Sequence, residues 1–298
     1  MNMIKDLLGP MRPPFLILTP ACVLLGVGTA AWRVGNINIT YLVLVFIGAI
    51  SAHISVNALN EYYDFKSGLD FRTRKTPFSG GSGTLPASPE TAKSALFIGL
   101  LTLAITGLIG IYFLYARGLK LLPLGVLGII IIFAYTKWII RSPVLCLIAP
   151  GLGFGPLMVV GTDFCLAGSY SWIAFLASML PFFLVSDLLL LNQFPDADAD
   201  QSVGRRHLPI VVGKPSSAVI YGIFLICAYI PVIIGCALGY LPKASLLGLA
   251  SVVLAIPAII GVIRYARDIE KLIPYMGLNV VINITTPVLV AIGLFISI

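Results

Sequence analysis

The chain has 298 residues, of which 59% are hydrophobic and only 10% are charged. This composition excludes an ordinary soluble domain, in which about a quarter of the residues are charged. The formal net charge of +7 matches the basic excess that membrane proteins carry on their cytoplasmic side. We therefore expect a lipid bilayer as the surroundings of this chain and no nucleic acid as a partner.

Apolar stretches of about 18 residues or more, each long enough to cross about 30 Å of hydrocarbon, recur along the whole chain. Because lipid offers no hydrogen-bond partners to the backbone, such stretches form helices. We predict an all-α polytopic membrane protein, a single domain over residues 1–298, with nine transmembrane helices. The predicted spans are 14–33, 40–60, 92–116, 121–138, 143–162, 171–193, 215–239, 243–264 and 275–298.

The basic residues predict the orientation of these spans. With the N-terminus in the cytoplasm, 15 of the 19 Lys and Arg residues fall in cytoplasmic segments. The same alternation puts two long polar loops, at about 61–91 and 194–216, on the cytoplasmic side. The five cysteines are an odd number, scattered and without Cys-x-x-Cys spacing, so we expect no disulfide framework.

Two Asn-x-x-x-Asp segments stand where apolar spans run into these loops. They are Asn60-Glu-Tyr-Tyr-Asp64 and Asn192-Gln-Phe-Pro-Asp196. Further acids follow each, Asp70 after the first segment, and Asp198 and Asp200 after the second. The chain has only 12 Asp and Glu residues, so this clustering predicts a functional site at one end of the helices.

Residues four apart share one face of a helix, so the Asn and the Asp of each segment lie together. Oxygen ligands without histidine or thiolate suit Mg²⁺, which also shares its coordination with substrate phosphates. The predicted ligands are Asn60, Asp64, Asn192, Asp196 and Asp200. Pro195 is expected to kink or break the second helix.

Basic residues near both acidic segments could hold the oxygens of a diphosphate, although each could equally anchor the membrane surface. These candidates are Arg72, Arg74, Lys137, Arg141, Arg205 and Arg206. The segment Ser79-Gly-Gly-Ser-Gly83 reads either as a flexible turn or as a backbone anion nest or substrate wall. Tyr63 and Tyr135 could belong to an interfacial aromatic belt or to the pocket.

These segments, together with Gly204-Arg-Arg-His-Leu208, resemble the UbiA superfamily of intramembrane aromatic prenyltransferases over nearly the whole chain. The order Gly68-Leu69-Asp70 and the later Gly-Gly-Ser-Gly are similar to its MenA-like branch, which prenylates 1,4-dihydroxy-2-naphthoate on the way to menaquinone. The sequence departs from many relatives at Glu61, where they have Asp. It departs also at Gly68, where they have an acid, and at Pro195, where an arginine often precedes the aspartate.

The resemblance implies a UbiA-like helix bundle around a central cavity, in the cytoplasmic membrane of a bacterium or an archaeon. It implies Mg²⁺-dependent transfer of a polyprenyl group from its diphosphate to an aromatic acceptor, with Asp64, Asp70, Asp196 and Asp200 as catalytic acids. Tyr63, Tyr135, Ser79 and Gly80 would form the carbocation or acceptor pocket. Asp70 or Glu61 would handle the acceptor proton.

Two alternatives stay open at this stage. The same fold could act on another acceptor, such as 4-hydroxybenzoate, another quinone or chlorin precursor, or a lipid or sugar phosphate. A cation-coupled transporter would also place carboxylates within helices, but it would be expected to bury them near the middle of the membrane.

Overall fold

The computed structural model of the protein describes residues 7–298, so Lys5, one of the basic residues counted for the orientation, lies outside it. Two short 3₁₀ segments, Gly9–Met11 and Pro13–Ile17, lead into the first long helix. The principal helices of the described residues, α1 to α9, are Leu18–Val34, Ile39–Ser67, Ala92–Arg117, Leu122–Ala134, Pro143–Ala167, Trp172–Ser202, Gly213–Ala237, Lys243–Tyr265 and Ile269–Phe295.

The all-α polytopic fold is confirmed, with one span shorter than predicted. Within residues 7–298, eight helices are long and apolar enough to cross a membrane. The exception is α4, predicted as 121–138. Its α-helix covers 13 residues, or about 20 Å at 1.5 Å per residue. A turn begins at Tyr135, and a 3₁₀ segment at Ile139–Arg141 follows, so the apolar run ends before it could span about 30 Å.

The helices α2 and α6 carry the two acidic segments, and both extend through them. They are 29 and 31 residues long, about 44 and 46 Å, which exceeds the thickness of the hydrocarbon layer. The connectors that follow α2 and α6 begin only at positions 68 and 203, beyond the predicted starts at about 61 and 194. Pro195 does not break α6, which continues to Ser202. The missing N–H of this proline leaves the carbonyl of Leu191 without its helical partner.

The helix α6 forms the centre of the core, where Leu180, Leu184 and Leu191 are fully buried. On one side it packs closely against α5. A Cβ placed at Gly155 of α5 would lie 2.5 Å from the Ser178 carbonyl oxygen, so only glycine permits this approach. Part of α5, Gly153–Val160, is a π-helix that contains a proline, in keeping with the local adjustments that prolines impose on helices.

Candidate functional site

A cavity of about 970 Å³ lies among α1–α6 and α9. Its walls are largely apolar, with Ile129 and Ile132 of α4 and Phe154 and Leu157 of α5 among the lining side chains. Polar side chains gather at the end where α2 and α6 terminate. The cavity thus combines an apolar interior with an acidic end.

Both acidic segments reach this cavity. The side chains that line it include Asn60, Asp64, Asp70, Asn192, Asp196 and Asp200. Asp64 is only 6% exposed and Asp200 only 3%. Asp198, on the opposite face of the same helical turn, is exposed to the exterior. The helical spacing therefore brings together the residues that the sequence analysis grouped.

Arg205 connects the two acidic segments. Its Nη1 donates to Asp200 Oδ1 at 2.8 Å, and its Nη2 contacts Asp64 Oδ1. The turn at Gly204, with φ of +80°, folds the chain back so that the Arg205 N–H donates to the Asp200 carbonyl at 3.1 Å. Burial lowers the pKa of Arg205, but the negative charges of Asp64 and Asp200 outweigh it, and the net pKa is raised.

His207 occupies the remaining oxygen of Asp200. Its Nε2 lies 2.8 Å from Asp200 Oδ2, and both side chains are buried. Asp200 is thereby fixed on both oxygens by residues of the connector that follows α6. This connector therefore positions the Asp200 carboxylate, and the contribution of His207 is its hydrogen bond to that carboxylate.

The glycine-rich segment Ser79–Gly83 covers the acidic end of the cavity. Ser79 and Gly80 line the cavity, and the Gly80 N–H donates to Asp196 Oδ2 at 3.1 Å. The preceding turn is closed by Thr76 Oγ1, which accepts from the Ser79 N–H at 3.0 Å. Hydrogen bonds therefore hold this segment in place as a wall of the cavity, and its contact with a substrate stays a prediction.

Two carboxylate oxygens at this end have no hydrogen-bond partner among residues 7–298. They are Asp70 Oδ2 and Asp196 Oδ1, and both are buried. Burial, followed by the charges of Asp64 and Glu61, raises the pKa of Asp70 to about 7. A buried acceptor without a donor costs free energy, so each of these oxygens suits a bound cation or a proton as a partner.

The acids at this end do not form a complete metal cage. Among residues 7–298, no group of three or more His, Cys, Asp and Glu side chains is arranged to hold a metal ion. Mg²⁺ is commonly held by one or two carboxylates, with waters and substrate phosphates completing its coordination. The unpartnered oxygen of Asp196 and the side-chain amide oxygens of Asn60 and Asn192 fit that ion.

Five of the six predicted diphosphate-binding cations lie outside the cavity, and only Arg205 lines it. Arg72 donates to Ser202 Oγ, and Arg74 pairs with the exposed Glu270. Lys137 lies over the ring of Tyr63 at 5.0 Å. These five side chains are exposed because they lie on connectors or at helix ends. They are Arg72, Arg74, Lys137, Arg141 and Arg206.

Arg12 is a cavity residue, although its position in the sequence predicted it only to be one of the cytoplasmic basic residues. It precedes the first span, lines the cavity, and its Nε donates to Glu61 Oε1 at 2.6 Å. Among the described residues, Arg12 and Arg205 are the Lys and Arg side chains that line the cavity. No sequence spacing linked Arg12 to the acidic segments, because the contact depends on how the segment before α1 packs against α2.

The predicted aromatic residues separate into two positions. Tyr135 lines the cavity, whereas Tyr63 packs outside it, with its ring centroid 5.4 Å from that of Tyr62. Near Tyr135, Asn60 Nδ2 donates to Thr136 Oγ1 at 3.3 Å. Of the two tyrosines, only Tyr135 can face a bound substrate.

Comparison with known proteins gives one family. The model of the UbiA prenyltransferase family matches residues 20–296. Digeranylgeranylglyceryl phosphate synthase of Pyrococcus horikoshii is 28% identical, over 78% of this chain and 79% of that protein. The 1,4-dihydroxy-2-naphthoate octaprenyltransferase of Bacillus subtilis is 27% identical, over 74% and 70%.

Solved structures share the fold at lower identity. The apo structure of a UbiA homolog from Aeropyrum pernix matches with a TM-score of 0.72 and 17% identity, over 95% of this chain and 98% of that one. A UbiA homolog from Archaeoglobus fulgidus bound to GPP and Mg²⁺ matches with a TM-score of 0.63 and 14% identity, over 96% and 99%. The bundle of α1–α9 is therefore a known arrangement.

Proposed function

Because this chain belongs to the UbiA prenyltransferase family, we propose that it transfers a polyprenyl group from its diphosphate to an aromatic acceptor, with 1,4-dihydroxy-2-naphthoate as the first candidate. The chain is a prenyltransferase and an integral membrane protein, which argues against a cation-coupled transporter. One observation carries the proposal: the acids of both segments face one cavity whose other walls are apolar. This arrangement suits a lipid diphosphate.

We propose Mg²⁺ as the cofactor, held by Asp64, Asp196 and Asp200 with assistance from Asn60 and Asn192. The unpartnered Asp196 Oδ1 supports this assignment, as does the homolog bound to GPP and Mg²⁺. When bound, Mg²⁺ supplies positive charge that stabilises a departing diphosphate.

Arg205 adds charge that belongs to the protein. Its guanidinium already lies among carboxylates and can donate to phosphate oxygens in their place, since guanidinium groups bind both anions in the same geometry. Such donors stabilise the charge that develops as the C–O bond breaks. Arg205 is therefore assigned to the diphosphate, and the five exposed cations have no supporting contact.

The cavity walls and two side chains would serve the second half of the reaction. The apolar lining excludes water, which would otherwise quench an allylic cation, and the ring of Tyr135 can stabilise positive charge. The acceptor ring forms the new C–C bond and releases a proton. Asp70, with its pKa raised to about 7, is assigned as the group that accepts this proton.

An anionic acceptor is favoured by Arg12, the second cation that lines the cavity. Naphthoate carries a carboxylate, so it meets this condition. A glyceryl phosphate lipid meets it also and is the second candidate, because relatives at 28% identity include digeranylgeranylglyceryl phosphate synthase. The donor would enter along the apolar walls. The whole chain would act as one domain, with the acidic end of the cavity on the cytoplasmic side of a prokaryotic cytoplasmic membrane.

The test is turnover by the purified protein in lipid nanodiscs. Geranylgeranyl and longer polyprenyl diphosphates are combined with naphthoate, hydroxybenzoate or prenylglyceryl phosphate acceptors, with and without Mg²⁺, and the products are identified by mass spectrometry. We expect a prenylated naphthoate and stoichiometric pyrophosphate, both dependent on Mg²⁺. Product from the glyceryl phosphate alone would select the second candidate. No product from any pair would overturn the proposal.

A further inference from the structure

Glu61, within the first acidic segment, has protein donors on both carboxylate oxygens. Its Oε1 accepts from Arg12 Nε at 2.6 Å and from the Ser82 N–H at 2.7 Å. Its Oε2 accepts from Ser82 Oγ at 2.7 Å. The side chain is fully buried. Unlike Asp70 and Asp196, Glu61 thus has no unpartnered carboxylate oxygen.

The first segment attached to Glu61 is the one that precedes α1. Arg12 has φ of +51° and is the non-glycine residue with positive φ among residues 7–298, a backbone conformation that ordinary residues seldom adopt. One turn before Glu61 on α2, Asn57 Nδ2 donates to the Met11 carbonyl at 3.0 Å. Two successive turns of α2 therefore hold this segment and keep Arg12 in its unusual conformation.

The second segment attached to Glu61 is Ser79–Gly83. Besides the bonds from Ser82, a Cβ placed at Gly81 would lie 3.3 Å from both Glu61 Oε1 and Asp70 Oδ1. At Gly80 the segment bonds to Asp196. The loop therefore spans both acidic segments, attached to the first through Ser82 and to the second through Gly80.

We propose that Glu61 is a positioning residue that clamps these two segments together. It does not touch the substrate. It fixes the loop so that the Gly80 N–H reaches Asp196, and it fixes Arg12 so that the rest of its guanidinium faces the cavity. A full negative charge is needed, because a buried Arg12 without a counter-ion would be strongly unfavourable, and hydrogen bonds to charged partners are stronger than neutral ones.

The role in turnover rests on the proposed function, but the clamp itself can be tested without substrate. The connector that runs from the end of α2 to Ser79–Gly83 contains trypsin sites at the exposed Arg72, Arg74 and Lys75, and cleavage there depends on local opening. In Glu61→Gln we expect cleavage at these sites to accelerate by about fivefold or more, with little change at other sites. The matched control is Glu90→Gln, which neutralises an exposed acid just beyond the loop.

Ser82→Ala is a second and milder variant, since it removes only one hydroxyl and leaves the Arg12–Glu61 pair in place. Residues that act through one contact show non-additive effects. We therefore expect the double variant Glu61→Gln/Ser82→Ala to cleave no faster than Glu61→Gln. Full additivity, or wild-type cleavage in both single variants, would overturn the clamp.

A turnover measurement then separates positioning from a purely structural role. We expect Glu61→Gln to lower kcat by about tenfold or more through misplacement of Asp196 and to raise the Mg²⁺ concentration needed for half activity. Glu61→Asp, which keeps the negative charge, should recover part of the kcat and part of the wild-type response to Mg²⁺. Faster cleavage together with wild-type kcat and Mg²⁺ response would overturn the role in positioning. Faster cleavage in a protein that transfers no prenyl group would support the clamp and contradict the proposed function.

Discussion

Arg205 contacts the carboxylate of Asp64, although 141 positions separate them in the sequence. The same guanidinium binds Asp200 at the end of α6. One cation is thereby shared between the two acidic segments, at the place where a metal and a diphosphate are proposed to bind. In the proposed reaction, Arg205 would neutralise the acids before substrate binds and would be available to the phosphate oxygens afterwards.

Replacing Arg205 with Lys should lower turnover by about a hundredfold, since removal of one preorganised donor from a transition-state anion costs about that much, and lysine cannot reproduce the bidentate geometry. The measurement is pyrophosphate release by the purified variant. Arg206→Lys is the matched control, because the neighbouring side chain is exposed and does not line the cavity. Equal losses in the two variants would contradict the assignment of Arg205 to the diphosphate.

Asp196→Asn should lower turnover by about a hundredfold or more and weaken the response to Mg²⁺, because the amide removes the negative charge beside the unpartnered Oδ1 position. Asp198→Asn makes the same chemical change two residues later on the exposed face and should remain within about twofold of wild type. Mg²⁺ titrations of both variants supply the measurement. A normal response in Asp196→Asn would remove this residue from the metal site.

The difference between Asp196 and Asp198 shows what the sequence could predict. Helical spacing alone indicated that Asn192, Asp196 and Asp200 share a face, and the apolar spans predicted the helices that carry them. The exposed position of Arg72 and the contact of Arg12 with Glu61 could not be predicted in this way. Each depends on the path of a connector or on the packing of one helix against another, and neither is periodic in the sequence.

The end of α4 illustrates a second limit. Apolar composition continues nearly to Trp138, so the span was predicted to reach that residue. The chain instead turns at Tyr135, and this brings Thr136 to Asn60. A side-chain contact with α2 thus accompanies the end of the helix, and hydropathy carries no information about such a contact.

Gly155→Ala should destabilise the protein by about 1–3 kcal/mol, the usual cost of overpacking, because the new methyl group would meet the backbone of α6 at Ser178 and Phe182. Small residues at the contact between two membrane helices let the helices approach closely. Thermal unfolding in detergent measures the effect. The control is Gly153→Ala in the same π-helical segment, where nothing lies within 4 Å of the added group. Equal melting temperatures would contradict the close packing of α5 on α6.

Asp187, halfway along α6, is fully buried, and neither of its carboxylate oxygens has a partner in the part of the chain that the structure describes. Replacing it with Leu should stabilise the protein by about 1–3 kcal/mol, the cost of an unsatisfied buried polar group. Asp163→Leu should have the opposite effect, since Asp163 is equally buried but pairs with Arg33, which would lose its counter-ion. Melting temperatures of the two variants provide the test. Destabilisation by Asp187→Leu would indicate that this carboxyl binds a partner of its own.

Asp70→Asn should stabilise the metal-free protein at pH 8 and have less effect at pH 5. The pKa of Asp70 is raised from 3.8 to about 7 by burial, so between these values the folded protein binds more protons than the unfolded chain. Stability must then fall as the pH rises through this window. The Asn side chain does not titrate in this range, so the variant does not lose stability as the pH rises.

The measurement is thermal unfolding with EDTA at several pH values between 5 and 8. Asp268→Asn is the control, because hydrogen bonds from Lys271 lower the pKa of this exposed acid. The stability it contributes is present above its unfolded pKa and is lost only as the pH falls through the lowered value. Its difference from wild type should therefore be constant over this range. If the difference for Asp70→Asn were equally constant, Asp70 would not titrate near neutral pH, and its assignment as the acceptor of the proton would lose its physical basis.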